Sequence, residues 1–280
     1  MTDHPFRFGV SLFNVGSRSA WRARAREVED LGYDVLQVAD HLGMAAPFPA
    51  LVAAADVTSI RLGTFVLNAG ILHPAYLARD VADTYRLTDG RLELGLGAGY
   101  VPAEFEAVGA PFGTAGERLR KLEATLTETR ALLAAEAGNP QPPIMLGGAG
   151  DRMLRLAGRE ADIFSFSIAA GMTEDLAPED AFARRVQVLR EAAGDRFDDV
   201  ELNLFVAAVG ESEEKLDLSI IRQASGLDDA QLIQLPGVLV GSPREIADRL
   251  LRYREEFGVS YISVLEPHMA AFAEVIKHLR

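Results

Sequence analysis

A closed barrel of eight parallel strands alternating with helices is the α/β fold this sequence predicts, and three observations predict it. Eight short apolar runs are each followed by a segment of helical periodicity. The junctions are short and no stretch has linker composition, so residues 1–280 read as a single domain of parallel strands joined by right-handed crossovers. The unusual residues also gather at one end of the strands. Asp40-His41 follows the second, Gly95, Gly97 and Gly99 close the fourth, and Gly147-Gly-Ala-Gly150 follows the fifth. In parallel α/β proteins that end binds ligands. An open doubly wound sheet is the competing architecture.

The elements follow in order. Phe6–Phe13 is the first strand, and the helix from Ser19 to Leu31 stops at Gly32. Tyr33–Ala39 is the second strand, with an Ala-rich helix at Pro49–Thr58 after it. Arg61–Leu67 leads to a helix over Ala75–Leu87 and the turn Thr88-Asp-Gly90. Leu92–Leu96 precedes a short helix at Pro102–Val108 and a long one over Gly116–Ala135, whose start carries the capping box Thr114-Ala-Gly-Glu117. Pro143–Leu146 runs into the helix Arg152–Arg159, with Asp151 as its expected N-cap, and Asp162–Ile168 into the helix Pro178–Ala193. Glu201–Val209 is the seventh strand, with two short helical stretches and a Pro236-Gly237 break after it. Ser242-Pro-Arg-Glu245 opens a helix to Phe257 with proline in its first turn. Ser260–Leu265 is the eighth strand, and Met269–Leu279 the last helix.

Composition narrows the function. The chain carries 41 acidic against 28 basic side chains, a formal charge of −13. Such a surface repels nucleic acid and anionic membranes, so neither is an expected partner. A small anion can still bind a local cluster of backbone N–H groups. The absence of cysteine excludes disulfides, thiolate metal sites and cysteine nucleophiles. No apolar run has signal-peptide or membrane-span length, and the expectation is a cytoplasmic protein.

The motifs point to a cofactor. The fourth strand lacks the spacing and the position of a dinucleotide fingerprint, which belongs on the first strand–helix turn. Its glycines remove side chains where a flat ligand could approach the backbone, or relieve crowding. His41 is suited to proton exchange near neutral pH, and Asp40 beside it could orient it or bond a ligand. Glu104 could serve as a second acid or base opposite His41, or cap its helix. The loop Gly147–Gly150 precedes a helix N-terminus, where phosphates bind. No P-loop lysine, zinc-binding histidine spacing or G-x-S-x-G elbow occurs. A pocket with few strong nucleophiles suits a cofactor that carries the reactivity itself.

These residues resemble the luciferase-like monooxygenases and their deazaflavin-dependent relatives over nearly the whole chain. The resemblance rests on Ala39-Asp-His41, Leu62-Gly-Thr-Phe-Val-Leu67 and His73-Pro-Ala-Tyr-Leu-Ala-Arg79. It rests most on Gly90-Arg-Leu-Glu-Leu-Gly-Leu-Gly-Ala-Gly-Tyr100 with Glu104 and Gly109-Ala-Pro-Phe112, and on Pro143-Ile-Met-Leu-Gly-Gly-Ala-Gly150. The resemblance implies an eight-stranded barrel and a flavin-type ring at its mouth, from FMN or the 8-hydroxy-5-deazaflavin coenzyme F-420. It implies a cis peptide at Phe65-Val66 backing the ring. Asp40, Asn68, Gly97, Ala98 and Gly99 would border the cofactor, and Gly147, Gly148, Ala149 and Gly150 would hold its phosphate. In sugar-phosphate dehydrogenases of the deazaflavin branch, the histidine matching His41 takes the substrate proton and the glutamate matching Glu104 serves the coenzyme.

Two departures shape the substrate. The long insertions of the luciferases are reduced or absent, and the loop Gly43–Pro49 is compact and apolar, with Phe13, Phe48 and Phe166 as candidates for an apolar pocket. No lysine–arginine cluster for a sugar phosphate stands at these strand ends. The expected activity is hydride transfer between F-420 and a small, mostly apolar molecule. The alternatives are an FMN-dependent monooxygenase with a separate flavin reductase, and a non-catalytic flavin-binding barrel. The family resemblance implies a homodimer.

Overall fold

The computed structural model describes residues 4–135, 138, 141–168, 172 and 176–280. In chain order the strands are β1 (Arg7–Leu12), β2 (Val35–Val38), β3 (Arg61–Thr64), β4 (Leu67–Asn68), β5 (Leu92–Gly97) and β6 (Ile144–Gly148), then β7 (Ile163–Phe166), β8 (Glu201–Val206), β9 (Ala208–Gly210), β10 (Val238–Val240) and β11 (Val259–Leu265). The helices are α1 (Arg18–Asp30), α2 (Pro47–Ala55), α3 (Pro74–Leu87), α4 (Pro102–Ala107), α5 (Ala115–Ala135), α6 (Asp151–Glu160), α7 (Pro178–Ala193), α8 (Ser219–Ser225), α9 (Asp229–Ile233), α10 (Pro243–Phe257) and α11 (Met269–Leu279). The main sheet holds nine strands, and β3 pairs with β5 across the short β4, so the fold class is the closed parallel α/β barrel expected. No described helix is long and apolar enough to cross a membrane.

The chain divides into two compact units. One is Leu12–Glu29 with Val35–Gly147. Here β2, β3 and β5 pair in parallel, and β5 also takes β4 and β6. Their side chains are buried on both faces, as expected of parallel strands covered by helices. Arg91 fastens the lower ends of this unit, its guanidinium donating to the carbonyls of Ala55, Thr58, Ile60 and Thr88. Leu122, Leu126 and Leu133 make the buried stripe of α5.

The other unit joins the segment through Ser11 to Asp30–Asp34 and Gly148–Arg280. In it β1 pairs with β11, β11 with β8, and β8 with β7, all in parallel. Ser165, Asn203 and Ser263 form a buried hydrogen-bonded row, from Ser165 Oγ to Asn203 Oδ1 (2.7 Å) and from Asn203 Nδ2 to Ser263 Oγ (2.8 Å). Helices α6 and α7 approach closely through Gly158, where a Cβ would lie 2.7 Å from the Ala193 nitrogen.

Several expectations change in detail. The third strand breaks into β3 and β4 around Phe65-Val66, and the seventh breaks into β8 and β9. β10 was not expected; its three residues pair only with β9, in a separate two-stranded sheet. Phe166 is core, with its ring 4.8 Å from those of both Phe164 and Phe182. Gly150, and not Asp151, is the N-cap of α6. Both expected capping boxes form: Thr114 with Glu117, and Ser242 with Glu245. His73 caps α3, its Nδ1 accepting from the Ala75 N–H.

Candidate active site

The ends of β2, β4 and β5 bring one set of side chains together. Asp40 and His41 follow β2, and Asn68 ends β4. Ala98, Gly99 and Tyr100 carry the chain from β5 toward α4, whose first turn presents Glu104. An acid suits the positive end of a helix, and Pro102 stands at the start where no N–H is required. Phe105 settles α4 against Gly70, where a Cβ would lie 2.6 Å from the ring.

Glu104 is buried and accepts from three directions. His41 Nδ1 lies 2.7 Å from its Oε1, and the Leu42 N–H reaches the same oxygen at 3.3 Å. Asn68 Nδ2 approaches Oε2 at 3.5 Å. Asn68 is itself fixed, its N–H donating to Asp40 Oδ2 (3.0 Å) and its Oδ1 accepting from Gly70 (3.1 Å). A carboxylate only accepts, so His41 carries hydrogen on Nδ1, and Nε2 is the ring nitrogen left to face outward. Nε2 meets the Tyr100 hydroxyl at 3.3 Å, with the two rings edge to face.

Arg118 on α5 anchors the connecting loop. It donates from Nε to the Gly99 carbonyl and from Nη1 to the Gly113 carbonyl, both at 3.0 Å. Its guanidinium lies over Phe112, which packs edge-on against Phe105.

The peptide bond Phe65-Val66 is cis, as the resemblance implies. Gly95, Gly97 and Gly99 relieve crowding, one of the two readings their spacing offered. A Cβ on Gly95 would lie 2.0 Å from the Thr64 carbonyl oxygen, and on Gly97 it would lie 2.8 Å from Val66 Cγ2. On Gly99, at φ +75°, it would lie 2.2 Å from Asn68 Oδ1. The space is filled by the neighbouring β3–β4 segment, so the alternate glycines let that segment press onto β5.

Burial pushes the Asp40 carboxyl above its ordinary range, opposed by the Asn68 N–H; the Glu104 charge adds to the rise and His41 opposes it. A raised acid makes the folded state hold its proton longer than the unfolded chain. Stability therefore falls as pH rises from the ordinary value of 3.8 through the raised one. Asp40→Asn, whose amide oxygen still accepts from Asn68, is expected to raise the melting temperature at pH 7 and to lose that gain below about pH 4. Thermal melts at both pH values check this.

The loop after β6 belongs to the other unit from Gly148 onward. The Gly148 carbonyl accepts from Ser167 N–H (3.1 Å), and a Cβ on Gly150 would meet none of the described residues within 4 Å. Asp151 turns to Arg184, which bonds both its oxygens (2.8 and 3.1 Å) and holds its carboxyl below the usual range. Arg185 donates from Nε to the Ala149 carbonyl (2.9 Å) and from Nη2 to the Met172 carbonyl (3.3 Å). Among the described residues its Nη1 is buried without a hydrogen-bond partner. Burial and the neighbouring Arg184 lower its pKa. An under-partnered guanidinium beside an open glycine at a helix start has the chemistry to hold a phosphate.

The structure brings together Asp40, His41, Asn68 and Glu104, all singled out in the sequence, and adds Tyr100 beside His41 and Arg185 beside Ala149, which were not among the expected site residues. Tyr100 stands directly after the glycines, where its aromatic type was the available signal. Arg185 lies on α7, and no spacing connects it to Ala149. Among the described residues no group of three or more His, Asp or Glu side chains is arranged to hold a metal ion.

Residues 6–222 match the luciferase-like monooxygenase family. The chain is 30% identical over 155 residues to a 5,10-methylenetetrahydromethanopterin reductase of Methanolobus tindarius, covering 49% of this chain and 47% of that one. It spans about half the length of the curated relatives it matches. Among solved structures, an F-420-dependent secondary alcohol dehydrogenase superposes with a TM-score of 0.76 at 17% identity, over 99% of both chains. A long-chain alkane monooxygenase superposes with a TM-score of 0.76 at 14% identity, over 100% of this chain and 92% of that one. These two likenesses carry the fold, and the sequence match carries more: the chain belongs to the luciferase-like monooxygenase family.

Proposed function

We propose that this protein is an oxidoreductase transferring a hydride between coenzyme F-420 and a small, mostly apolar organic substrate. The observation that carries the reading is the His41–Glu104 pair, a proton-handling couple held at 2.7 Å beside Asn68 and Asp40. Leu42, Met44 and Tyr100, near the pair in the chain, expose much of their side chains, which supports a mostly apolar substrate. When bound, the deazaflavin supplies the two-electron carrier, and the protein has only to orient the reactants and manage one proton. Glu104 fixes the His41 tautomer and stabilises the imidazolium that forms. Asp40, Phe65, Val66, Asn68, Gly97, Ala98 and Gly99 would border the ring. Gly147, Gly148, Ala149 and Gly150, joined by Arg185, would hold the phosphate. The F-420-dependent dehydrogenase among the structural neighbours supports the choice of coenzyme.

The alkane monooxygenase likeness favours a second reading, an FMN-dependent monooxygenase served by a separate flavin reductase. Titrating the purified protein with F-420 and with FMN, followed by fluorescence, separates the two. Micromolar or tighter binding of F-420 with weak binding of FMN is expected, and the reverse order would reject the F-420 assignment. Arg185→Met is expected to weaken coenzyme binding roughly 10- to 100-fold, since a hydrogen bond to a charged group is worth about 1.5–3 kcal/mol. An unchanged dissociation constant would remove Arg185 from the phosphate site.

A further inference from the structure

We infer that the Tyr100 hydroxyl is the group that exchanges the proton with the substrate, with His41 and Glu104 behind it as a relay. The inference rests on the oxidoreductase reading above for the identity of the reaction, and on geometry alone for the relay. Three groups stand in a row: the Tyr100 hydroxyl lies 3.3 Å from His41 Nε2, and His41 Nδ1 lies 2.7 Å from Glu104 Oε1. Exposure falls along the row. Tyr100 is 67% exposed, the His41 side chain 27% and the Glu104 side chain 8%. The outermost member faces solvent, and the nitrogen that would otherwise receive a substrate proton is already covered by the phenol.

The tautomer sets the direction of the bonds. With Nδ1–H given to Glu104, Nε2 accepts the Tyr100 O–H, which leaves the lone pairs of the phenol oxygen pointing away from the ring. Partial desolvation and the Glu104 charge both raise the Tyr100 pKa, so the phenol stays protonated at neutral pH and the relay is loaded. For a substrate with a hydroxyl on the reacting carbon, its O–H proton joins the Tyr100 oxygen while the Tyr100 proton moves to Nε2. The O–H electron pair becomes the second carbon–oxygen bond as the hydride leaves that carbon for the deazaflavin. The product is a carbonyl, and an imidazolium remains beside Glu104. Carbonyl reduction runs the same transfers backward.

Two measurements need no coenzyme. Nitrogen NMR of histidine-labelled protein, with His41 assigned by the signal lost in His41→Ala among the five histidines, reports its tautomer. A protonated Nδ1 is expected, with an Nε2 resonance that moves in Tyr100→Phe. A resonance indifferent to that substitution overturns the relay. Ultraviolet titration, comparing wild type with Tyr100→Phe, isolates the ionisation of this phenol among six tyrosines. Glu104→Gln should lower its midpoint, and an unmoved midpoint counts against the coupling.

Kinetics with F-420 and a panel of apolar alcohols and ketones then tests the role. Tyr100→Phe is expected to lower kcat at least 100-fold, to leave the coenzyme dissociation constant within twofold, and to add little further loss in a His41→Ala background. A near-wild-type kcat in Tyr100→Phe refutes the inference. Wild-type protein that binds neither coenzyme would sink the oxidoreductase reading instead, and the two coenzyme-free measurements would still judge the relay.

Discussion

Gly95→Ala is expected to leave little folded protein, the largest stability loss of any single methyl group added to this chain's β5 edge. The added Cβ would stand 2.0 Å from the Thr64 carbonyl oxygen, deep in a parallel sheet. That oxygen is backbone, so no rotamer change relieves the overlap; the strands themselves must part. Parting them breaks a reciprocal clamp, because the Thr64 hydroxyl donates to the Gly95 carbonyl (2.9 Å) and accepts from the Gly95 N–H (2.8 Å). Overpacking costs about 1–3 kcal/mol where side chains can shift, and each buried hydrogen bond adds about 1 kcal/mol. Together with a rigid obstacle, the expected loss is about 4 kcal/mol or more, enough to threaten a marginally stable fold. Soluble yield and the urea midpoint measure it. Gly150→Ala is the control: its Cβ meets none of the described residues and the backbone is extended, so stability should stay within about 0.5 kcal/mol of wild type.

The second large effect is on turnover. Glu104→Gln keeps the size of the side chain and removes its charge. An amide oxygen can still accept from His41 Nδ1, yet the charge in direct contact with the ring no longer balances the imidazolium that forms when the proton arrives. General acid–base contributions of this kind are worth about 100- to 10,000-fold in rate. We expect a kcat loss in that range, with coenzyme binding nearly retained. Steady-state rates beside a fluorescence titration distinguish this from simple loss of the site. A variant with unimpaired kcat would remove the carboxylate from the proton path.

Much of this was legible in the chain because it is local. The pairs Thr114–Glu117 and Ser242–Glu245 are three residues apart, and such boxes form wherever a helix starts. Asp40, His41 and Glu104 were readable as strand-end chemistry because a barrel places strand ends at one rim, although 63 positions separate His41 from its partner. What escaped depends on neighbours distant in sequence. β10 is too short to announce itself and exists through its pairing with β9. The β5 glycines were visible and relief of crowding was one reading of them, but the crowding groups were not legible, since these are Thr64, Val66 and Asn68 on the adjoining segment. Arg185 needed the fold to bring α7 to Ala149.

The grip of Arg118 on the Gly99 and Gly113 carbonyls has a wider bearing. Both edges of the excursion that holds Tyr100 and Glu104 are pinned by one cation, while the phenylalanines beneath act as ballast. The segment between these carbonyls is thus fastened at both ends by one side chain, and Tyr100 and Glu104 lie between the two fastenings. On the proposed reading, substitutions among the apolar residues after His41 are expected to retune which molecule is admitted while the proposed proton path keeps its alignment.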